Sequence, residues 1–472
     1  MNENLTALIP ELSLVGAAVI GLLAGSWLPR RRQWLIAVLA AAACTAGLVA
    51  TAVTMATGRE QTVFSNQFAV DVVTDAGRLI VLGALLLVIG MSVETVRGHK
   101  RETEYWVLLL LTGAGTLALL GANDLLMLFA AYLLASIPAY ALAAFAKDAR
   151  GTEAALKYYL MGALLGTTML AGTALLYGAG HATLYRELRP TLPAAPYGLV
   201  TVGLVAVLAG LLFKAGALPA HFWVPDVTDG APTPIAAYVT TLPKIGALIA
   251  GYRLLHQALP DSDVNWPLLL AILAAVTMTV GNLAAFFQTS VKRLLAYSTI
   301  SQVGYLLMAL AVATRTDLAQ KSLLSYLAAY AATNLGAFAV VTELPHARTL
   351  EDYRGLARRH PALAAVLLIC LLGLVGTPPT GVFLGKLEIF SAAIDGGYTW
   401  LAALAVANTV ASLFYYLRWL APLFTTAPAP ADTQTVLGGW AAATAYTAAT
   451  VSLVLGLAGG AVLPFATGSL LP

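Results

Sequence analysis

Apolar runs of about 20 residues, separated by short polar turns, recur from one end of this chain to the other. A run of that length crosses the hydrocarbon of a bilayer once as a helix. Reading on that basis predicts fourteen spans, near 11–29, 34–56, 78–95, 105–121, 125–146, 157–178, 197–222, 232–256, 266–287, 293–313, 321–342, 361–393, 398–421 and 437–464. Helix is the expected state, because backbone exposed to lipid must satisfy its own hydrogen bonds. Barrel strands would be segments of ~10 residues with strict alternation, and none of these runs alternates. The longest polar stretches are 57–77, 179–196 and 343–360, and no soluble domain is visible. The Pro/Ala/Thr-rich 425–435 reads as a flexible linker before the last helix.

Composition sharpens the class. Hydrophobic residues make up 59% of the 472 and charged residues 10%, with a mean hydropathy of +0.81. A soluble domain carries roughly 25% charged residues, so the chain is an all-α polytopic membrane protein. A net charge of +3 is too small to suggest nucleic acid. Cys44 and Cys370 lie in apolar runs without a CxxC or a nearby histidine, which reads as inert core. The first apolar run has no basic residues before it and Arg30, Arg31 and Arg32 after it, the pattern of a signal anchor rather than a cleaved signal peptide.

The loops divide by charge. Alternate loops from 30–32 onward hold sixteen of the twenty-six Lys and Arg residues, and the other loops hold seven, among them Arg59, Arg78, Arg186 and Arg253. By the positive-inside rule the first set is cytoplasmic. Both termini are then expected on the outer side, consistent with an even number of spans.

Three cations remain, and they lie inside apolar runs: Lys214, Lys244 and Lys386. A lysine at mid-bilayer costs ~2.5–3.5 kcal/mol even on a lenient scale, and its default reading is an ion or proton pathway. A lysine near a helix end can instead snorkel to the headgroups. Three such residues, two of them beside proline breaks, favour the pathway. The breaks are KAGALPAHF, followed by WVPDVTDGAPTP, and GTPPTGVFLGK. Proline removes a backbone donor and clashes with the preceding turn. In lipid such a break is tolerated where it lines a cavity or is covered by protein, although a simple proline kink gives the same sequence.

The breaks are five predicted spans apart. A five-span unit repeated once must sit inverted, because five is odd, and inverted repeats with broken helices mark transporters. This predicts N-terminal helices over 1–104, one unit over 105–257, a second over 258–421, and a linker with a C-terminal helix over 422–472.

The residues around the breaks carry a resemblance. FKAGALPAHFWVPDVTDGAPTP, GNLAAFFQTSVKRLLAYSTISQVGYLLMAL, ATNLGAFAVV and GTPPTGVFLGK closely resemble the antiporter-like membrane subunits of respiratory complex I. More narrowly, they are similar to the N-type subunits (subunit 2 in mitochondria and chloroplasts) of the proton-pumping NADH–quinone oxidoreductase. The resemblance runs from NDLL at 123 to about 420. VKRLLAYSTISQVGY is specific to the antiporter-like group. VPDVTDGAPTP and GTPPTGVFLGK favour N over its M and L relatives, and so does the lack of the long lateral helix of L-type subunits.

The resemblance implies two half-channels, built from the inverted units and joined by protonatable residues along the membrane plane. It assigns proton-carrying roles to Lys214, Lys244 and Lys386, and it matches His221 to the histidine of an LPxHxW-like stretch. A lone histidine near an interface is also often just a hydrogen-bonding group, and both readings of His221 stand. Tyr297, Ser298, Ser301 and Gln302 either bond water in the second channel or pack helices as small polar residues do. The implied activity is that of a translocase subunit, and the alanine- and glycine-rich composition points to a bacterial plasma membrane, although chloroplast and mitochondrial homologues share the motifs. The chain itself has no nucleotide-binding glycine loop, no cluster-binding cysteines and no flavin motif. FMN, iron–sulfur clusters and quinone chemistry are expected in partner chains, with M-like and K/J-like membrane subunits as neighbours.

One departure bears on the mechanism. The family's fifth helix has a pattern like DLLxLFxGLELxSLPxYxL, and this chain reads DLLMLFAAYLLASIPAYALAAF, with Leu133 at the glutamate position. That glutamate is the expected partner of the Lys214-type lysine. Asp124 lies nine residues earlier, about 13 Å along an ideal helix. Glu104, Glu153 and Glu388 are near helix ends or in the other unit. Glu388 follows Lys386 by two residues and so points to another side of the helix. Three functions are therefore carried forward. The first is proton translocation coupled to quinone reduction. The second is a multisubunit cation/proton antiporter working without redox input. The third is a non-pumping structural subunit of a complex I-like assembly.

Overall fold

The computed structural model describes residues 4–426, 439–462 and 467–471. A helical hairpin opens the chain, α1 (Ile9–Trp27) and α2 (Trp34–Thr57), and a short ribbon of β1 (Gln61–Val63) against β2 (Phe68–Val70) leads into α3 (Val72–Val96). Next come α4 (Glu102–Leu120), α5 (Leu125–Ala143), α6 (Ala149–Gly180), the short α7 (Tyr185–Thr191), α8 (Tyr197–Ala215), α9 (Trp223–Gly230) and α10 (Thr233–Ala258). The second half holds α11 (Trp266–Ala285), α12 (Val291–Ala311), α13 (Leu318–Glu343), α14 (Leu356–Arg359), α15 (Pro361–Val375), α16 (Gly381–Asp395), α17 (Thr399–Leu423), α18 (Trp440–Leu457) and α19 (Gly459–Val462).

Among the described residues, thirteen helical segments are long and apolar enough to cross a membrane. The remaining predicted span, 361–393, is the pair α15 and α16, with residues 376–380 between them. Helix starts are set by caps that apolar periodicity does not register. α6 begins at Ala149 rather than near 157 because Asp148 accepts from Gly151 N at 2.8 Å. α3 begins at Val72 rather than near 78, where Asp71 accepts from Thr74 N at 3.0 Å. Of the linker predicted over 425–435, residues 427–435 lie outside the described residues.

Burial separates centre from rim. α10 is enclosed along its whole length and α12 and α13 nearly so, whereas only about a third of α2, α6 and α18 is covered. A helix that is apolar all round is stable as rim when lipid is the solvent. The central helices are therefore where polar side chains carry information, since each must find a partner inside protein.

Two faces close the bundle. On one, Ser290 bridges to Thr349, Arg101 donates to Phe145 O, and Lys292 Nζ donates to Asp229 O (2.9 Å) and Ala231 O (2.7 Å). On the other, Asp124 bridges to Leu184, Arg189 pairs with Asp261 at 2.8 Å, and Arg315 donates to Gly396 O at 3.3 Å. Both described ends sit at this second face: Asn4 donates to Gln61 at 3.2 Å, and Leu471 N donates to Asp71 at 3.0 Å.

The charge division needs one correction. Arg78 and Arg253, counted with the loops of the second face, are fully buried within α3 and α10. Arg78 pairs with Glu11 at 2.8 Å and Asp75 at 2.9 Å, and Arg253 pairs with Asp71 at 2.8 Å. Their partners make burial tolerable, and two of those partners are too far away in the chain for a linear reading to pair them.

Candidate functional site

Both interrupted helices end in the same way. α8 stops at Ala215, and Gly216 follows with φ +77. Gly216 N and Ala217 N both donate to Leu212 O, at 2.8 and 2.9 Å. α15 stops at Val375, and Gly376 follows with φ +93, while Gly376 N and Thr377 N both donate to Leu372 O at 3.1 Å. A glycine in the left-handed region turns the chain out of the helix and satisfies carbonyls that would be stranded in lipid. Further freed carbonyls are taken by side chains. Trp223 Nε1 donates to Phe213 O at 3.0 Å, and Lys386 Nζ donates to Val375 O at 2.8 Å.

The breaks position the lysines. Lys214 lies in the last turn of α8, is fully buried, and donates from Nζ to Ser136 Oγ on α5 at 2.6 Å. The Tyr132 ring lies 5.5 Å from the same nitrogen. Lys244 lies on α10, also fully buried, and its Nζ has no hydrogen-bond partner among the described residues. A Cβ on Gly216 would come within 3.3 Å of that nitrogen, so Lys244 reaches the end of α8 from the side. His221 sits in the segment between α8 and α9, 9% exposed, with Nδ1 unpartnered. Lys386 lies on α16 and adds to its bond with Val375 a contact to Thr409 Oγ1 at 3.3 Å and the Tyr305 ring at 4.2 Å.

None of the three lysines forms an ion pair among the described residues. Leu133 is 36% exposed on the outward side of α5, so the side chains of α5 that meet Lys214 are Ser136 and Tyr132. Asp124 caps α5, accepting from Leu126 N (2.7 Å) and Met127 N (3.0 Å). Glu104 is exposed, and Glu153 pairs with Lys157 at 2.7 Å. Glu388 accepts from Ser325 and lies 3.9 Å from Lys321, away from Lys386.

Between the breaks runs a polar seam on the three central helices. Thr240, Thr241 and Lys244 share one face of α10, and Tyr326, Tyr330 and Asn334 repeat every fourth residue on α13. Asn334 Nδ2 donates to Thr241 Oγ1 at 2.8 Å, and Tyr330 OH donates to Thr240 O at 2.8 Å. Thr299 Oγ1 and Tyr330 OH are 2.9 Å apart. One turn further along α12 and α13, Tyr326 OH donates to Gln302 Oε1, and Gln302 Nε2 donates to Leu374 O at 2.8 Å. Leu374 precedes Val375, the residue that Lys386 holds. The seam thus joins the neighbourhood of Lys244 to that of Lys386 within the plane of the bundle.

Of the four polar residues singled out on α12, Gln302 belongs to the seam. Ser298 bonds Tyr416 OH at 2.5 Å, Ser301 Oγ has no partner, and Tyr297 is half-buried. Thr240, Thr241, Thr299, Tyr330, Asn334 and Thr409 were not singled out from the sequence. The signal available was the four-residue recurrence of polar groups on helices that are otherwise apolar.

At the first face a cavity of about 680 Å³ opens beside the start of α10, with Thr233, Asp148, Asp229, Lys292, Arg348 and His99 in its wall. Thr233 is two turns from Thr240 on the same helix. Near it Asp226 accepts from Lys157 (2.8 Å) and Arg293 (3.0 Å). Partial burial raises the Asp226 carboxyl, but the bonds and charges of Lys157 and Arg293 outweigh it and hold the group below its ordinary value.

Comparison with known proteins places the fold in a family. Residues 122–412 match the family model described as NADH:quinone oxidoreductase/Mrp antiporter, TM. A Streptomyces griseus subsp. griseus protein named NADH-quinone oxidoreductase subunit N 1 is 56% identical over 463 residues, covering 98% of each chain. A Mycobacterium sp. (strain JLS) protein named NADH-quinone oxidoreductase subunit N is 48% identical over 458 residues, covering 97% of each. A chain in the structure of respiratory complex I from Thermus thermophilus with bound Aureothin superposes with a TM-score of 0.84 at 32% identity, covering 97% of this chain and 100% of that one.

Proposed function

Since the chain belongs to the NADH:quinone oxidoreductase/Mrp antiporter transmembrane family, in its subunit N branch, we propose that it carries protons across a bacterial membrane as part of an NADH–quinone oxidoreductase. The observation that carries this reading is the set of three buried lysines at the breaks, two of whose neighbourhoods are joined by the polar seam, each without an ion-pair partner among the described residues. A fixed structural cation inside protein is normally matched by a carboxylate. A group that exchanges protons must instead be able to exist in both charge states.

In this reading Lys214, Lys244 and His221 serve the first break and Lys386 serves the second. Protons enter from the cavity at the start of α10. The hydroxyls of Thr240, Thr241, Thr299 and Tyr330 relay between the lysines, and the amides of Asn334 and Gln302 orient those hydroxyls. Units 105–257 and 258–421 act as inverted halves, a reading supported by the matched ends of α8 and α15. The face rich in Arg and Lys is cytoplasmic, and both termini lie outside. Quinone reduction supplies the energy, and the redox groups lie in neighbouring subunits.

The test is the number of protons moved per electron by the assembled complex in vesicles, at matched electron-transfer rates. Lys214→Ala and Lys386→Ala are each expected to lower the ratio. An unchanged ratio in both would sink the proposal and leave the third of the functions carried forward, a non-pumping structural subunit. That reading has in its favour the outward-facing Leu133 and the missing carboxylate beside Lys214.

A further inference from the structure

A groove follows α3 along the surface of the bundle, walled by α2, α13 and α18. Its centre holds about 430 Å³ and is lined by Met55, Leu79, Gly83, Leu86, Ala328 and Val451. Past Leu79 and Met55 it continues toward the second face for a further 430 Å³ or so, ending at Arg59 and Glu60. Past Leu86 it continues toward the first face for about 470 Å³, ending at Arg97, Trp34 and Trp440. Neighbouring cavities share wall residues, so the three follow one another along α3, whose 25 residues span about 37 Å.

Shape and charge together identify the occupant. The volume is spread along the length of α3, a shape that suits an extended hydrocarbon chain rather than a helix about 10 Å across. The wall is almost wholly apolar between two charged mouths. Arg59 and Arg97 are exposed, and neither forms an ion pair or side-chain hydrogen bond among the described residues. The acids near Arg97 are engaged elsewhere: Glu102 accepts from Gly98 N at 2.7 Å, and Glu94 accepts from Trp440 N at 2.7 Å. Glu60 stands beside Arg59, which suits an amine next to a phosphate. Trp34 and Trp440 are exposed beside Arg97, where interfacial aromatic residues sit at headgroup level.

We propose that this groove is a phospholipid site. One phospholipid from each leaflet lays an acyl chain along α3, with its phosphate on Arg97 at one mouth and on Arg59 at the other. The bound chain also acts as a seal. Ser325 lines the groove and its hydroxyl donates to Glu388, so a chain lying there keeps water from that carboxylate.

The experiment uses the whole complex, purified into nanodiscs of phosphatidylethanolamine and phosphatidylglycerol, with density at the groove and native mass as readouts. A Cβ on Gly83 meets nothing within 4 Å, so Gly83→Trp fills the groove without moving backbone. Gly16 on α1 is equally open and lies outside the groove, which makes Gly16→Trp the control. Wild type and Gly16→Trp are expected to show acyl-chain density along α3, and Gly83→Trp to lose it together with at least one phospholipid per complex. Arg97→Ala and Arg59→Ala are each expected to lose headgroup density at their own mouth while the fold stays intact. A helix of a neighbouring subunit in the groove, an empty groove in wild type, or density that persists in Gly83→Trp would overturn the proposal.

Discussion

Lys386 donates from Nζ to the carbonyl of Val375, 2.8 Å away, so a cation on α16 closes the C-terminal end of α15. This is the favourable place for a positive charge on the helix dipole. The contact gives Lys386 a structural role, holding the break, that is separable from the proton exchange proposed for it. Arginine keeps the first and removes the second, because a guanidinium does not deprotonate in proteins. Lys386→Arg is therefore expected to leave thermal stability within about 1 kcal/mol of wild type while lowering protons per electron. Lys386→Met should lower both, by about 2 kcal/mol in stability, the cost of stranding a buried acceptor. Thermal unfolding and vesicle pumping, measured on the same preparations, separate the two effects.

Ser136 is the hydrogen-bond acceptor of Lys214, and Leu133, three residues earlier on α5, is turned toward the more exposed flank of the helix. A carboxylate therefore meets the lysine more directly from position 136 than from 133. Ser136→Asp should couple to Lys214, so that the double variant with Lys214→Met differs from the sum of the single effects by at least 1 kcal/mol in stability. Leu133→Glu should show weaker coupling within this chain. Double-mutant cycles by thermal unfolding decide the matter, and coupling at 133 alone would refute the assignment.

The sequence carried the spans well because lipid demands long apolar runs. The two interruptions were legible because proline and glycine have few other uses there. Positions of Lys214, Lys244 and Lys386 followed from the same logic, since charge in hydrocarbon stands out. What periodicity could not supply was pairing. Arg253 and Asp71 are 182 residues apart, and Thr240 meets Tyr330 through a backbone carbonyl. Ser136 stood in the matched motif as a mere flanking residue, yet it is the group that meets Lys214. The outward direction of Leu133 depends on how α5 is rotated, which an apolar helix in lipid leaves open.

Gly216 and Gly376 should not tolerate a side chain. Both have φ in the left-handed region, and an added Cβ would lie 2.8 Å from Val224 Cγ2 and 2.9 Å from Lys386 Cδ respectively. The backbone alone costs roughly 1–2 kcal/mol for an L-residue. Gly376→Ala should cost more than that, because it also displaces Lys386 from Val375. Expected outcomes are reduced amounts of assembled complex for both variants and, for Gly376→Ala, a lower proton-to-electron ratio in whatever assembles. Normal yield and ratio would show that the breaks are not held in this geometry.

At the second face, Asp71 and Arg253 form a fully buried bidentate pair, with oxygen-to-nitrogen distances of 2.8 and 2.9 Å, and Leu471 N donates to the same carboxylate at 3.0 Å. Burial by itself raises the Asp71 carboxyl. The charge and hydrogen bonds of Arg253 and the N–H groups of Thr74 and Leu471 outweigh it and hold the group below its ordinary value. A folded value below the unfolded one, about 3.9, means that the pair stabilises fully above the unfolded value and loses that contribution as pH falls through the folded one. Asp71→Asn leaves Arg253 buried without a counter-charge and should cost about 3–5 kcal/mol at neutral pH. Its stability should then fall less steeply than wild type on acidification below about pH 4, because the titrating group is gone. Thermal unfolding of both forms from pH 7 downward tests this. Parallel acid limbs would show that the Asp71 carboxylate does not hold the second-face ends of α3 and α10 through its charge.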